Sequence, residues 1–260
     1  MAKLTKDEIK KHRAACELLE KDTLTVDERF FVIENWHEGA EHISSSAGAF
    51  FTPAALARDF AVETFAGRTI DLCAGIGTLS FLTWVMNGFR GEFICVELNA
   101  AYADVGRKIM PEATWIVADV LSPEILDLDH FDLAIGNPPF GKLNGSARAP
   151  RYSGSDFELK VIDVAGLLAD QGTFIVPQNS APFRFSGRDG YERVESDRLA
   201  KFYDETGIVL QPNCGIDTTV SGPFRGTNIR TEIVVTDFRS PEPSYIPRGA
   251  KHFAEPMLAF

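Results

Sequence analysis

Asp71-Leu72-Cys73-Ala74-Gly75-Ile76-Gly77 decides the fold. The residues from Thr69 to Leu72 read as a buried strand, and Thr78 to Met86 as a helix. Between them stand two glycines one residue apart. A strand that passes through a glycine turn into a helix is the opening unit of an open α/β sheet, and glycine there lets a ligand come close to the backbone. A nicotinamide-type turn would continue Gly-x-Gly-x-x-Gly/Ala. Gly75 and Gly77 fit that pattern, but Ser80 holds the third place, and nothing downstream suggests hydride chemistry.

Outward from this turn, strands and helices alternate. Glu92 to Glu97, Thr114 to Ala118, Phe131 to Ile135, Thr173 to Val176, Gly207 to Leu210 and Glu232 to Phe238 read as strands. Ala100 to Ile109, a segment opened by a Ser155/Glu158 capping box, and Tyr191 to Glu205 read as helices. Thr52-Pro53 reads as a helix start with Thr as cap, the helix running to about Phe65 before Gly67. Such alternation predicts a mainly parallel sheet with helices on both faces. Residues 1–48 read as a separate helical segment with capping boxes at Thr5/Glu8 and Thr25/Glu28, and with Ser44 to Gly48 as a link. Residues 49–240 form the main domain, and 241–260 read as an irregular tail. Phe30, Phe31 and Trp36 read as core packing, with a partner or nucleic-acid surface as the alternative.

The net charge of -11 argues against a generally basic nucleic-acid binder, though not against a local basic cleft. No apolar run approaches the roughly 18 residues of a membrane span, and the charged N-terminus lacks a signal-peptide core. A soluble cytoplasmic protein with no membrane partner is the expectation. Cys16, Cys73, Cys95 and Cys214 are scattered, which favours free thiols in a reducing compartment. No metal is expected: Trp36 to His42 misses the zinc-peptidase pattern because Glu41 stands where a second His is needed.

Carboxylates close the strands. Glu97 ends the second, where it can accept both hydroxyls of a ribose, and Asp119 ends the third, where it can accept an adenine amino group. After the fourth comes Gly136-Asn137-Pro138-Pro139-Phe140-Gly141. The Asn137 oxygen and the Pro138 carbonyl can accept the two hydrogens of a planar amino group, which favours a localised lone pair on its nitrogen. Pro138 and Pro139 stiffen the loop, and Phe140 can stack on the ring that carries the amino group. Cytosine C5 chemistry would need a nucleophilic cysteine in this loop, and none is there.

In this order, Gly48-Ala49-Phe50-Phe51-Thr52-Pro53, Asp71 to Gly77, Glu97, Asp119 and Asn137 to Phe140 resemble the gamma arrangement of adenine-N6 DNA methyltransferases, within the class I enzymes that use S-adenosylmethionine. The resemblance spans roughly residues 48 to 240. It implies a Rossmann-like class I methyltransferase fold, a mostly parallel seven-stranded sheet with helices on both faces, plus the N-terminal helical segment. It also implies S-adenosylmethionine held by Phe51, Thr52 and Pro53, by Asp71, Cys73, Ala74, Gly75 and Gly77, by Glu97 with Leu98 and by Asp119 with Val120. The implied catalytic set is Asn137, Pro138, Pro139 and Phe140, acting on a flipped adenine in DNA.

Enzymes of this type usually carry a separate target-recognition domain, whereas only about twenty residues follow Phe238. Recognition is therefore expected from loops, from the N-terminal helices or from a partner subunit. Lys142, Arg148 and Arg151 lie in a loop without acids, as do Arg225 and Arg230 with Phe224, and both loops are candidates for phosphate contact. In the third basic stretch, Arg184, Arg188, Arg193 and Arg198 are offset by Asp189, Glu192, Glu195 and Asp197. The alternatives to DNA are adenine in RNA, a protein glutamine amide and a cofactor-binding subunit without catalysis. The glutamine enzymes usually have Tyr where this chain has Phe140.

Overall fold

The computed structural model describes residues 5–37, 51–222, 224 and 229–239. The expected link at 44–48, the Gly48 to Phe50 stretch, Arg225, residues 38–42 of the metal reading and the tail from Ser240 lie outside the described residues.

The chain opens with α1 (Lys6–Leu19) and α2 (Val26–Asn35), and both helices start with the expected reciprocal capping boxes. Glu8 accepts the Thr5 N–H at 2.7 Å and Glu28 accepts the Thr25 N–H at 2.8 Å. Then follow α3 (Ala54–Phe60), β1 (Arg68–Leu72), α4 (Thr78–Met86), β2 (Glu92–Glu97), α5 (Ala100–Ile109), β3 (Thr114–Val117) and α6 (Pro123–Leu126). After β4 (Phe131–Gly136) come α7 (Phe157–Leu168), β5 (Ala169–Pro177), β6 (Phe183–Arg184) and β7 (Glu192–Arg193). The last elements are α8 (Asp197–Thr206), β8 (Gln211–Pro212) and β9 (Thr231–Asp237).

Seven strands form one sheet in the order β3-β2-β1-β4-β5-β9-β8. The first five are parallel, and β9 runs antiparallel to both β5 and β8. From β1 the chain builds outward to β3 and then returns to the other side of β1 with β4. The carboxyl ends of β1 and β4 thus flank the switch point, where open α/β sheets form a crevice.

Side chains alternate across the sheet and feed two apolar layers. Ile70, Leu72, Val96 and Phe174 pack with α7 and α8 on one face, while Phe93, Leu133, Ile135 and Ile233 pack with helices α1 to α5 on the other. Trp36 is 6% exposed, and the Phe30 ring meets Phe81 edge to face at 5.1 Å. The aromatic cluster of α2 therefore belongs to the core, and the N-terminal helices share that core with the sheet instead of standing apart from it. Arg29 fastens α2 to the end of α5 through both oxygens of Glu112, at 2.8 and 2.9 Å.

Several expected boundaries move. Thr52 caps nothing: α3 begins at Ala54 behind Pro53 and ends at Phe60, followed by a 3₁₀ turn, Ala61–Glu63. Ser155 and Glu158 form no capping box, because Asp156 holds the cap position and the buried Glu158 carboxylate is engaged elsewhere. The helix expected from Tyr191 starts only at Asp197, since Glu192–Arg193 pairs with Phe183–Arg184 in a small ribbon. Residues 207–210 do not pair as a strand; the pairing with β9 falls on Gln211 and Pro212.

Candidate active site

At the end of β1 the backbone enters left-handed space three times within five residues: Cys73 at φ +68°, Gly75 at +58° and Gly77 at +82°. Glycine adopts this region without cost, but a cysteine there costs on the order of 1–3 kcal/mol. Strain at a ligand-facing turn is a mark of function. A side chain at Gly75 would come within 3.3 Å of the Phe51 ring, and one at Gly77 within 3.0 Å of Trp115.

Glu97 ties the second strand to this turn. One carboxylate oxygen accepts the Gly75 N–H at 2.7 Å and the other accepts the Asn99 N–H at 2.8 Å. Asn99 in turn caps α5 by accepting from the Ala101 N–H at 2.9 Å. Asp119 Oδ1 accepts the Leu121 N–H at 2.9 Å. A carboxylate oxygen has two lone pairs, so both acids keep acceptor capacity. Both line a cavity of about 440 Å³ with Phe51, Thr52, Cys73, Ala74, Gly75, Leu98, Val120, Asn137 and Pro139. That volume suits a small-molecule or cofactor site. The Phe51 wall is braced by Tyr102 and Trp36, whose rings meet it edge to face at 5.1 and 5.6 Å.

Three residues expected at the cofactor do not line this cavity: Pro53, Gly77 and Asp71. Pro53 and Gly77 open helices α3 and α4. Asp71 is fully buried beneath the turn, where its Oδ2 accepts the Ser80 hydroxyl at 2.6 Å and its Oδ1 has no hydrogen-bond partner among the described residues. Burial pushes its carboxyl up to about 7, against the Ser80 bond and with help from nearby Glu97. The Cys73 thiol is also pushed well above its ordinary value, by burial and then by Glu97, Asp71 and Asp119. Neutral at physiological pH, it is a poor nucleophile. Sequence reading missed Tyr102, Leu143 and Phe157, which complete the cavity from elements whose approach has no local signature.

The loop after β4 also contributes to a second cavity, of about 540 Å³. Asn137 and Pro139 line the first cavity, while Phe140 lines the second. The Asn137 amide nitrogen donates to Thr52 Oγ1 at 3.0 Å, which sets the orientation of the amide plane. At the loop's exit, Glu158 accepts the Gly141 N–H at 2.7 Å and the Ser180 hydroxyl at 2.6 Å, and the Phe157 N–H donates to the Gly141 carbonyl at 2.8 Å. Phe140 meets Phe224 edge to face at 6.1 Å.

The basic residues sort differently from expectation. Arg230 lines the second cavity beside Phe140. Lys142 and Arg148 are exposed and line neither cavity. Arg151 lines neither cavity and clamps the fold: its guanidinium holds buried Asp163 at 2.7 Å and the Thr206 carbonyl at 3.1 Å. Arg184, Arg188 and Arg198, from the stretch whose charges seemed offset, do line the second cavity.

No family model matches the chain, and no curated protein matches its sequence. Solved structures do match. A class I S-adenosylmethionine-dependent methyltransferase candidate from Listeria monocytogenes superposes with a TM-score of 0.57 at 13% identity, over 88% of this chain and 73% of that one. The methyltransferase subunit of a type I restriction-modification system from Streptococcus thermophilus gives 0.54 at 17% identity, over 82% of this chain. This chain spans 48% of that subunit's length. A Pyrococcus horikoshii protein described as a candidate RNA methyltransferase gives 0.50 at 16% identity, over 86% of this chain and 97% of that one. The likeness is one of fold: the chain has the Rossmann-like class I methyltransferase architecture. Among the described residues, no helix is long and apolar enough to cross a membrane.

Proposed function

We propose that this protein transfers a methyl group from S-adenosylmethionine to an exocyclic amino nitrogen, and that the nitrogen is N6 of adenine in DNA. One observation carries the reading: the loop after β4 contributes to two cavities, Asn137 and Pro139 lining one and the adjacent Phe140 the other. The acceptor nitrogen must meet the methyl group in line with its sulfur, so the two sites must adjoin and open to each other, with the polar acceptors where they meet.

The first cavity fits the cofactor by its donor set. Glu97 suits a ribose diol and Asp119 an adenine amino group, while Gly75 leaves room for close approach to the backbone. When bound, the cofactor supplies a methyl group already electrophilic through its sulfonium. The protein's remaining tasks are alignment and polarisation. Asn137 and the Pro138 carbonyl accept the two amino hydrogens and draw the lone pair out of conjugation. Thr52, bonded to the Asn137 amide nitrogen, holds that amide in register. Phe140 stacks on the acceptor ring, a contact worth about 1–3 kcal/mol. No strong base is required, because the amino proton becomes acidic once the nitrogen is alkylated. A covalent cysteine route has no support, since the Cys73 thiol stays neutral.

DNA is favoured by the likeness to the type I restriction-modification subunit, which also makes a partner subunit for target recognition reasonable. Adenine in RNA is the second reading. It is favoured by the Pyrococcus horikoshii structure, of which this chain covers 97%, whereas it covers only part of the restriction-modification subunit.

Asn137→Ala tests the assignment. Turnover should fall by about 100-fold or more, as when a transition-state hydrogen-bond partner is removed, with cofactor affinity by calorimetry within about twofold of wild type. A variant that kept most of its turnover would remove Asn137 from the mechanism.

A further inference from the structure

The second cavity brings four guanidinium groups together in a chain whose net charge is -11. Arg184, Arg188, Arg198 and Arg230 line it with Phe140, and the carboxylates in its wall are those of Asp156 and Glu158. Glu158 is turned to the Gly141 N–H and the Ser180 hydroxyl. Asp156 pairs with Arg198 at 2.7 Å, and Glu192 pairs closely with Arg188 at 2.6 Å but only at 3.9 Å with Arg184. Among the described residues Arg230 closes no salt bridge, and its charge acts on Asp217 at longer range. Arg184 and Arg230 thus carry positive charge that is only partly offset, in the wall they share with Phe140.

The arrangement is held from below. Glu232 is fully buried and accepts from Gln178 Nε2 at 2.6 Å, the Phe185 N–H at 2.9 Å, the Ser186 N–H at 3.0 Å and the Ser186 hydroxyl at 2.8 Å. These bonds fix the segment that carries Arg184. The Gln178 N–H donates to the Arg230 carbonyl at 2.9 Å, which joins that segment to the start of β9. A buried carboxylate with this many donors preorganises a surface of like charges that would otherwise repel one another.

We propose that Arg184 and Arg230, with Phe140 at one end of the cavity, form a subsite for the phosphodiester that flanks the methylated base. The inference rests on the nucleic-acid reading of the active site. A stacking ring beside guanidinium groups whose charge is not fully offset matches the make-up of a nucleotide, an aromatic base next to a phosphate. A glutamine amide would bring no anion for them to meet.

The test measures binding of a fluorescent single-stranded oligonucleotide with one adenine, by anisotropy across a salt series, with the full-length chain loaded with a cofactor analogue. A second oligonucleotide carries neutral methylphosphonates on both sides of the adenine. For wild type the neutral linkages should weaken binding about tenfold, since they remove the charge from the hydrogen-bond acceptors. Arg184→Ala/Arg230→Ala should weaken binding of the ordinary oligonucleotide by a similar factor and lower the salt slope by about 0.7 for each phosphate no longer neutralised. Combining the variant with the neutral oligonucleotide should add little further. Arg184→Lys/Arg230→Lys, which keeps the charge, should recover most of the affinity.

Equal wild-type binding of the two oligonucleotides, or additive losses in the combination, would overturn the subsite. N6-methyladenine formed on the ordinary oligonucleotide is scored separately. Methylation without arginine-dependent binding refutes the subsite alone, whereas arginine-dependent binding without methylation supports the subsite and counts against the adenine of that strand as the acceptor.

Discussion

Asp71→Asn should remove a pH dependence of stability that the wild-type fold carries. The Asp71 carboxyl is fully buried and its pKa is raised from 3.8 to about 7, chiefly by loss of hydration. Because the folded value lies above the unfolded one, the folded state holds the proton more tightly. In the window between the two values the unfolded chain has lost that proton and the folded chain has not, so stability falls as pH rises. The contribution is fully present below about pH 4, declines through the window and levels off above about pH 7. At 1.36 kcal/mol per pKa unit the whole effect is roughly 4 kcal/mol, of which about 2–3 kcal/mol falls between pH 5 and 7. Urea denaturation of wild type and variant at half-unit steps from pH 5 to 8 reads the difference directly. Asparagine keeps an oxygen for the Ser80 hydroxyl but does not titrate, so other carboxylates cancel in the comparison. The variant should gain on wild type by about 2–3 kcal/mol from pH 5 to 7 and then run parallel to it. A difference that stayed constant across this range would refute the buried, proton-binding account of Asp71.

Other perturbations separate the parts of the site. Glu97→Ala should weaken cofactor affinity at least tenfold by calorimetry, because it removes the proposed ribose acceptor and releases the Gly75 and Asn99 N–H groups it holds; unchanged affinity would discard the ribose assignment. Glu158→Gln should lower kcat about tenfold with cofactor affinity preserved, since its carboxylate positions the exit of the Asn137 loop at Gly141. Gly106→Ala should destabilise the fold by about 1–3 kcal/mol in urea unfolding, because the added carbon would sit 2.1 Å from the Trp115 ring.

Much of the architecture is written locally. The glycine turn, the two capping boxes at Thr5 and Thr25, and the elements Thr78–Met86, Glu92–Glu97 and Ala100–Ile109 all stand where patterning places them. The first cavity is legible for the same reason. Its acids close consecutive strands, and a parallel sheet brings strand ends together. What sequence hides is pairing at a distance. Arg151 sits in a loop without acids, yet its partner Asp163 lies on the next helix. Glu192 does pair with Arg188 and more loosely with Arg184, as expected, but the ribbon between β6 and β7 also brings both into the wall of the Phe140 cavity, which their spacing does not show. Glu158 looks like a capping residue, but it is buried and holds the loop after β4 at Gly141. Asp71 reads as a ligand at a strand end, and alternation along β1 aims it instead at Ser80.

The most direct test incubates purified protein with methyl-labelled S-adenosylmethionine and unmethylated DNA, digests the DNA to nucleosides and identifies the labelled product by mass spectrometry. Labelled N6-methyladenine with wild type, absent with Asn137→Ala, is the predicted result. With cofactor binding confirmed, absence of label from DNA would contradict the DNA assignment, and absence from RNA as well would contradict the adenine reading as a whole.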